Sequence, residues 1–320
     1  MNFTLKQLRY AEAAGRLGSI ARAAEEMAIS QSSITAAIDA LEQSLDYDLF
    51  VRTPARGIQA TPAGMEALQM IRTFLNNARH FESDLQAVGG DETGVVRIGC
   101  YGTAAPAFLP PILKAMKERR PTTTVDVLEG DMASVIGYLR DGKSDLSFTY
   151  EIGLDSGHSF ERLFSAPPYA LLPADDPLCA LPGVSYAQLS RRPMVMLDLA
   201  YSREYFNTLF ARRGLTPNVT HATQSADFAR ALVAGGFGFT ILNILPPGSE
   251  GHRSYKALPI LDETEAPVFG IATLRQTRQP RAVRGFIRTC IELRDAGAFD
   301  ALTVSVPGSS SAKKNNNSPQ

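Results

Sequence analysis

The sequence has little of what stabilises small extracellular or membrane proteins. Its 320 residues include no tryptophan and three cysteines, Cys100, Cys179 and Cys290, which are far apart and odd in number. That count argues against a disulfide framework and for a reducing compartment. No uninterrupted apolar run reaches the length of about eighteen residues that a membrane span needs, and the N-terminus lacks an apolar signal-peptide segment. The sequence therefore predicts a cytoplasmic protein that does not enter a membrane.

An excess of charge is also absent. The chain carries 32 Lys and Arg against 33 Asp and Glu, for a net charge of −1. This balance argues against a general polycation or polyanion. Hydrophobic residues make up 44% of the sequence, as in ordinary globular proteins, and the length suits two or three domains.

Two short alanine-rich helices are predicted within residues 19–42, separated by a break at residues 27–30. This is the pattern of a helix-turn-helix, whose second helix places its N-terminal residues on base edges in the DNA major groove. Ile34, Ile38 and Leu41 recur at steps of four and three, so they should face the core. A structural helical hairpin with capping serines remains the alternative on spacing alone. The candidate DNA-binding residues of this segment are Arg22, Gln31, Ser32, Ser33 and Thr35.

A predicted β-hairpin follows at residues 49–60 and has the form of a wing. It would present Arg52 and Arg56 to phosphates, and both are further DNA-binding candidates. Residues 1–60 contain six Lys and Arg against seven Asp and Glu, which gives −1. So weak a basic footprint predicts weak nonspecific binding with a shallow dependence on salt.

Residues 61–90 predict a linker built on one long helix, with Thr61 as its cap and Pro62 in its first turn. Apolar residues recur along it at steps of three and four, which predicts one apolar face. We expect this face to meet a second chain, with packing against the N-terminal domain as the alternative. Its members are Leu68, Ile71, Leu75 and Ala78.

Residues 91–300 alternate predicted strands and helices, which favours a largely parallel sheet. The alternation restarts near residue 194, so we predict two α/β lobes. Lobe 1 comprises residues 94–168 and 264–300, and lobe 2 comprises residues 169–263. The low-complexity segment at residues 301–320 is predicted to be a disordered tail.

Taken together, these segments resemble the LysR-type transcriptional regulators over residues 1 to about 295. The matching stretches are LKQLRY, SIARAAEEMAISQSSIT, LEQSLDYDLFVRT, TPAG, VRIG, FLPPILKAMKERRP and LRDGKSDLSF. The resemblance implies an α+β multidomain fold with an N-terminal winged helix-turn-helix, a long linker helix, and two α/β lobes resembling periplasmic binding proteins. It also implies dimers through the linker helix, homotetramers on promoter double-stranded DNA, a small-molecule effector, and RNA polymerase as a further candidate partner.

The sequence departs from the family pattern in the second helix of the helix-turn-helix. Ser32 stands where members often have proline, and Ala36 stands where many have arginine.

Ligands of a two-lobed α/β domain bind between the lobes, where strands end and helices begin. The resemblance implies an effector contact at Thr103 and at the position of Asp131. An aspartate there favours a donor-rich or cationic group, so we expect a small polar effector. Several of these positions have an alternative role as helix caps, as core residues or, for Arg203, as a solvated side chain. The candidates are Cys100, Tyr101, Thr103, Asp131, Tyr150, Ser202, Arg203, Ser225 and Asn243.

Three other functions compete with a DNA-binding regulator. A cytoplasmic α/β enzyme acting on a small metabolite is disfavoured, because the four histidines show no metal or triad spacing and residues 235–239 do not form a dinucleotide fingerprint. A solute-binding transport protein would not need the N-terminal helix-turn-helix module, so this function is also disfavoured. A thiol-based redox-sensing regulator using Cys100 needs an exposed thiol of low pKa. We expect no enzymatic activity, no cofactor and no metal.

Overall fold

The computed structural model describes residues 3–53, 57–86, 94–248, 253–275 and 279–304. Within those ranges no helix is both long and apolar enough to cross a lipid bilayer. Three separate clusters of buried side chains organise the chain, one in the N-terminal region and one in each lobe.

The N-terminal region is a winged helix-turn-helix. Its elements are α1 (Leu5–Leu17), α2 (Ile20–Glu26), α3 (Gln31–Leu45), β1 (Phe50–Thr53) and β2 (Gly57–Ala60). The Ser30 hydroxyl accepts a hydrogen bond from the Ser33 amide and starts α3, as the sequence predicts. Strands β1 and β2 pair antiparallel as the wing. Ile34, Ile38 and Leu41 are buried against the other helices, which confirms their predicted face.

The linker helix α4 (Pro62–Gln86) begins after Thr61, whose hydroxyl accepts from the Gly64 amide at 2.8 Å. Leu68 and Ile71 are buried in the N-terminal core, and Leu75 packs against that core. For these three residues the alternative of packing against the N-terminal domain therefore holds, whereas Ala78, the fourth predicted member, is not part of that core. Other apolar side chains of α4 are exposed instead and are described below.

Lobe 1 is a five-stranded sheet in the order β4-β3-β5-β12-β6. Strand β3 runs parallel to β4 and β5, whereas β12 runs antiparallel to both β5 and β6. Helices α5, α6 and α10 pack against this sheet. The bounds are β3 (Gly94–Tyr101), α5 (Ala105–Arg119), β4 (Thr123–Gly130), α6 (Met132–Arg140), β5 (Leu146–Tyr150), β6 (His158–Ser165), β12 (Val268–Leu274) and α10 (Arg281–Asp295).

Lobe 2 contains an antiparallel sheet in the order β10-β7-β11 and a parallel pair, β8 and β9. A bridge between Met194 and Phe239 connects the two. The bounds are β7 (Tyr169–Pro173), α7 (Tyr186–Leu189), β8 (Pro193–Leu197), α8 (Ser202–Ala211), β9 (Asn218–Thr223), α9 (Ala226–Ala234), β10 (Thr240–Leu242) and β11 (Tyr255–Pro259). The sheet of lobe 1 is mixed, and lobe 2 has an antiparallel sheet beside its parallel pair, so the expectation of a largely parallel sheet is wrong.

The chain ends its described part on a short 3₁₀ turn, Asp300–Leu302. Leu302 is only 2% exposed, and its carbonyl accepts from the Leu245 amide at 2.8 Å. The predicted disordered tail therefore does not begin at residue 301, because the chain is still packed on lobes 1 and 2 at Leu302. Residues 305–320 of that predicted tail lie outside the described ranges.

Candidate functional site

The first half of α3 presents an uncharged polar surface. Gln31, Ser32 and Ser33 are exposed, and Thr35 is half-buried beside them. The hydroxyl oxygens of Ser32 and Ser33 lie 2.9 and 2.8 Å from that of Ser30, so a local hydroxyl cluster forms at the helix start. Each hydroxyl both donates and accepts, and the exposed Gln31 amide does the same. This surface can read base edges but adds no positive charge.

The arginines predicted beside this surface differ in their partners. Arg52 on the wing forms an ion pair with Asp39 of α3, and both side chains are about half exposed. Arg22 of α2 is exposed, and no side-chain partner is found for it in the described part of the chain. Arg56 lies outside the described residues. Of the two described arginines, only Arg22 keeps its positive charge uncompensated.

A cavity of about 370 Å³ lies between the two lobes. Tyr101 and Tyr150 reach it from the ends of β3 and β5, and Asn243 reaches it just after β10. Ser202 is the first residue of α8, and its Oγ lies 3.0 Å from the Tyr101 hydroxyl oxygen. Both side chains are buried, so this hydrogen bond joins the lobes inside the protein.

The polar groups of the cavity are held by neighbours. Asn243 donates through Nδ2 to the Ala166 carbonyl at 2.9 Å and to the Tyr205 hydroxyl at 3.4 Å. Burial raises the pKa of Tyr205 to about 12 and also raises the pKa of Tyr101. Both phenols therefore stay protonated at neutral pH, and that of Tyr205 accepts from Asn243.

The structure brings together more than half of the residues that the sequence predicts for effector binding. Tyr101, Thr103, Tyr150, Ser202 and Asn243 all line the interlobe cavity. Ser202 does so through the hydrogen bond to Tyr101, and its side chain makes no capping bond to α8.

Cys100 and Arg203 do not line the cavity. The Cys100 side chain points to the opposite face of β3 from Tyr101 and is fully buried in the core of lobe 1. Burial there raises the pKa of its thiol. Arg203 forms an exposed ion pair with Asp198 at 2.5 Å. The Cys100 environment is the reverse of the one that a redox-sensing thiol needs.

Asp131 and Ser225 line a more open cleft of about 390 Å³ that adjoins the cavity and shares Thr103, Ala226 and Arg230 with it. Asp131 Oδ1 accepts from the Ser134 amide at 2.8 Å, and Ser225 Oγ accepts from the Phe228 amide at 3.2 Å. Each side chain therefore caps a helix, α6 and α9 respectively. The capping alternative holds for both residues.

Most of the cavity residues were not among the predicted ones, and three of these lie within helices of lobe 2. Tyr205 and Phe206 come from the inward face of α8, and Arg230 comes from that of α9. The Arg230 side chain is 10% exposed and donates through Nη1 to Asp227 at 2.8 Å. Within the described residues, no group of three or more His, Cys, Asp or Glu side chains is arranged to hold a metal ion.

Two family models match the chain. One describes a bacterial regulatory helix-turn-helix protein of the lysR family and matches residues 5–65. The other describes a LysR substrate binding domain and matches residues 89–294. The chain belongs to the LysR family. As a LysR-type protein it is a DNA-binding transcriptional regulator with an effector-binding domain.

Two relatives align with most of the chain. It is 26% identical to the HTH-type transcriptional regulator CysB of Burkholderia cenocepacia over 297 residues, which cover 90% of this chain and 92% of that protein. It is 32% identical to the HTH-type transcriptional regulator TfdS of Cupriavidus pinatubonensis over 247 residues, covering 74% and 81% of the two chains.

Solved structures share the fold. HinK, a LysR family transcriptional regulator from Pseudomonas aeruginosa, is 30% identical with a TM-score of 0.59, covering 91% of this chain and 98% of that one. Full-length OxyR from the same organism matches with a TM-score of 0.70 at 20% identity, covering 90% and 97%. The second likeness concerns the fold alone.

Proposed function

We propose that a small effector binds in the interlobe cavity and gates the contacts of this LysR-type regulator with promoter double-stranded DNA. The hydrogen bond between Tyr101 and Ser202 carries the proposal, because it joins the lobes inside the cavity. A molecule that enters must contact both lobes and compete with or extend that bond. Gating then needs only that the effector binds one lobe arrangement better than the other.

We propose that DNA is contacted by the start of α3 and by the arginines around it. The exposure of the hydroxyl cluster supports this, as does the uncompensated charge of Arg22. Hydroxyls and amides read bases, whereas arginines bind phosphates. The proposed contacts are Arg22, Gln31, Ser32, Ser33, Thr35, Arg52 and Arg56.

The linker helix is the proposed dimer interface. Five of its apolar side chains are exposed, with Met70 the most exposed at 74%. Met70, Phe74, Phe81 and Leu85 recur at steps of four and seven and form one stripe, whereas Met65 lies on another face of the helix. An exposed apolar stripe of this kind marks an interface in most soluble proteins. Pairing two dimers into a homotetramer would add the affinity that a weakly basic DNA-binding domain lacks. The exposed side chains are Met65, Met70, Phe74, Phe81 and Leu85.

The proposed units are the DNA-binding domain at residues 1–60, the linker at 61–90 and the effector domain at 91–300. A separate boundary before the effector domain is supported by the buried clusters, since one combines the DNA-binding domain with Leu68 and Ile71 of the linker and the other two lie in the lobes. We place the regulator in the cytoplasm, with its promoter, and name RNA polymerase as a candidate partner there. We propose no enzymatic activity, since Glu204 and Arg230 are the only charged side chains among the described residues that line the cavity.

A footprint of the purified protein on DNA directly upstream of its own gene, at two salt concentrations, tests the proposal. We expect protection over several helical turns, centred on an interrupted palindrome, because dimers bind half-sites about one turn apart. Protection of a single half-site would contradict the tetramer. No protection at low salt would contradict DNA binding through this surface, and the cavity should then be assayed for turnover.

A further inference from the structure

The interlobe cavity is built mostly from rings and hydrocarbon. Four tyrosines and one phenylalanine line it, and aliphatic side chains and a proline fill much of the remaining wall. Aromatic walls favour flat partners that stack against ring faces or meet ring edges. The apolar and aromatic lining residues are Tyr101, Met132, Tyr150, Ile152, Leu197, Tyr201, Tyr205, Phe206, Leu242, Ile244 and Pro267.

The charges of the cavity are already balanced. Arg230 is its only cation among the described lining residues, and its guanidinium donates to Asp227 at 2.8 Å. Glu204 is exposed and contributes a negative charge. An incoming carboxylate would therefore find no uncompensated cation, and an unpaired charge is costly to bury.

Several neutral hydrogen-bonding groups line this wall, and two of these sites lie where the lobes meet. One is the hydroxyl pair of Tyr101 and Ser202, in which each oxygen can still accept or donate once. The other is the amide of Asn243. Both N–H groups of Asn243 already donate, to Ala166 and to Tyr205. A ligand with one neutral acceptor would therefore pair with the hydroxyls of Tyr101 and Ser202, without the cost of burying a charge.

We infer that the effector is an uncharged, flat aromatic molecule of one or two rings that carries one neutral hydrogen-bonding group. The cavity volume of about 370 Å³ suits a molecule of that size. This inference rests on the proposed effector function of the same cavity. It replaces the small polar effector expected from Asp131, because that side chain caps α6 and lines the other cleft.

Isothermal titration of the full chain with two probes of the same shape tests the charge requirement. Methyl naphthyl ketone is neutral, and the naphthoate ion replaces its methyl group with a charged oxygen. At pH 7 we expect the ketone to bind at least about tenfold more tightly. Equal or tighter binding of naphthoate would overturn the inference, and so would an absence of ketone binding.

Two variants assign the contacts. Asp227→Asn frees the charge of Arg230, so naphthoate should gain about threefold or more in affinity while the ketone stays within about twofold. Asp227 is 79% exposed, so its substitution should leave the fold intact. Ser202→Ala should weaken the ketone by about fivefold, the worth of one neutral hydrogen bond. Ser190→Ala, which removes an exposed hydroxyl outside the cavity, is the matched control.

The same preparation is footprinted on DNA without any probe. Suppose that DNA is protected but the ketone fails to bind, or that naphthoate binds as tightly as the ketone. The regulator function then stands and the ligand class is wrong. If DNA is not protected, the proposed function itself has failed, whatever the probes do. A ketone affinity unchanged by Ser202→Ala would overturn the assigned polar contact.

Discussion

At the scale of single residues, the turn of the helix-turn-helix holds a strained backbone. Ala28 has φ of 52°, in the left-handed region that costs a residue with a Cβ about 1–2 kcal/mol. Glycine at this position would lose that strain but would gain freedom in the unfolded chain. The loss of backbone strain outweighs the added freedom of the unfolded chain, so glycine should stabilise this turn.

We predict that Ala28→Gly raises the free energy of unfolding of the DNA-binding domain by about 0.5–1 kcal/mol. Amide hydrogen exchange of α2 and α3 in the full chain measures it. Ala36→Gly is the matched control, because Ala36 is exposed within α3 and glycine there should destabilise by about 1 kcal/mol. Destabilisation by both substitutions would contradict the strain argument.

The three thiols also differ at this scale. Burial raises the pKa of all three thiols, but Cys100 and Cys290 are fully buried, whereas Cys179 is partly exposed and open to a reagent. A thiol reacts as its thiolate, and a raised pKa keeps that fraction small at neutral pH.

Titration with a disulfide reagent at pH 8 should therefore modify only Cys179 in the native protein, and all three cysteines after denaturation. Cys179→Ser should remove the native reaction, whereas Cys100→Ala should leave it unchanged. Rapid modification of Cys100 in the folded chain would restore the redox-sensing alternative.

At the scale of secondary-structure elements, Asp131 is a helix cap. We predict that Asp131→Ala destabilises lobe 1 by about 1 kcal/mol, because the Ser134 amide loses its acceptor, and that Asp131→Asn restores most of it. Chemical denaturation measures the stability, and titration with methyl naphthyl ketone measures binding. Ketone binding should survive both substitutions, and its loss in both would return Asp131 to the effector contacts.

The exposed stripe of α4 makes a second prediction for one element. Phe81 is 65% exposed, so Phe81→Glu should leave the monomer folded but weaken the dimer by about tenfold or more. Sedimentation equilibrium measures the dissociation constant. Gln69→Glu adds the same charge at another exposed position of α4 and should change it little. Equal effects of the two substitutions would argue against this stripe as the interface.

Elements with strong periodicity could be predicted from sequence, and weakly patterned ones could not. The core face of α3 and the cap at Ser30 follow from local spacing. Strand β6 was not predicted, because it carries the charged residues Glu161 and Arg162 and lies at the edge of its sheet. Antiparallel pairing of β12 was not predicted either, since local sequence does not encode which strand will be its neighbour.

The residues of the candidate site also divide into those that the sequence could predict and those that it could not. Tyr101, Thr103 and Ser202 could be predicted because they lie at strand ends and helix starts, where α/β ligands bind. Tyr205, Phe206 and Arg230 lie further along helices, and inward-facing aromatic positions of a helix are typical of core in a sequence. Only the packing of lobe 2 against lobe 1 shows that these side chains border a cavity.

At the scale of the whole molecule, α4 connects the DNA-binding domain to lobe 1. The Arg72 guanidinium forms two ion pairs, with Nε 3.8 Å from Glu12 Oε1 of α1 and Nη1 3.8 Å from Asp141 Oδ1 beside α6. Further along the helix, His80 Nε2 lies 2.8 Å from the buried Asp145 Oδ1. A change in lobe 1 therefore has direct contacts through which to reach α4, which packs on α1 of the DNA-binding domain.

The charge of the whole DNA-binding face sets the last prediction. At most three arginines per subunit are proposed to contact phosphates, so a dimer should neutralise about six, and log Kd should rise with log salt concentration with a slope no steeper than about 5. Arg22→Ala should reduce the slope by about two per dimer, whereas Arg119→Ala, in α5 and paired with Glu292, should not change it. Asp39→Asn should strengthen nonspecific binding, because it removes the carboxylate that offsets Arg52. Fluorescence anisotropy on nonspecific DNA at several salt concentrations measures all three, and a steeper slope in the unaltered chain would mean that basic residues outside this face bind the DNA.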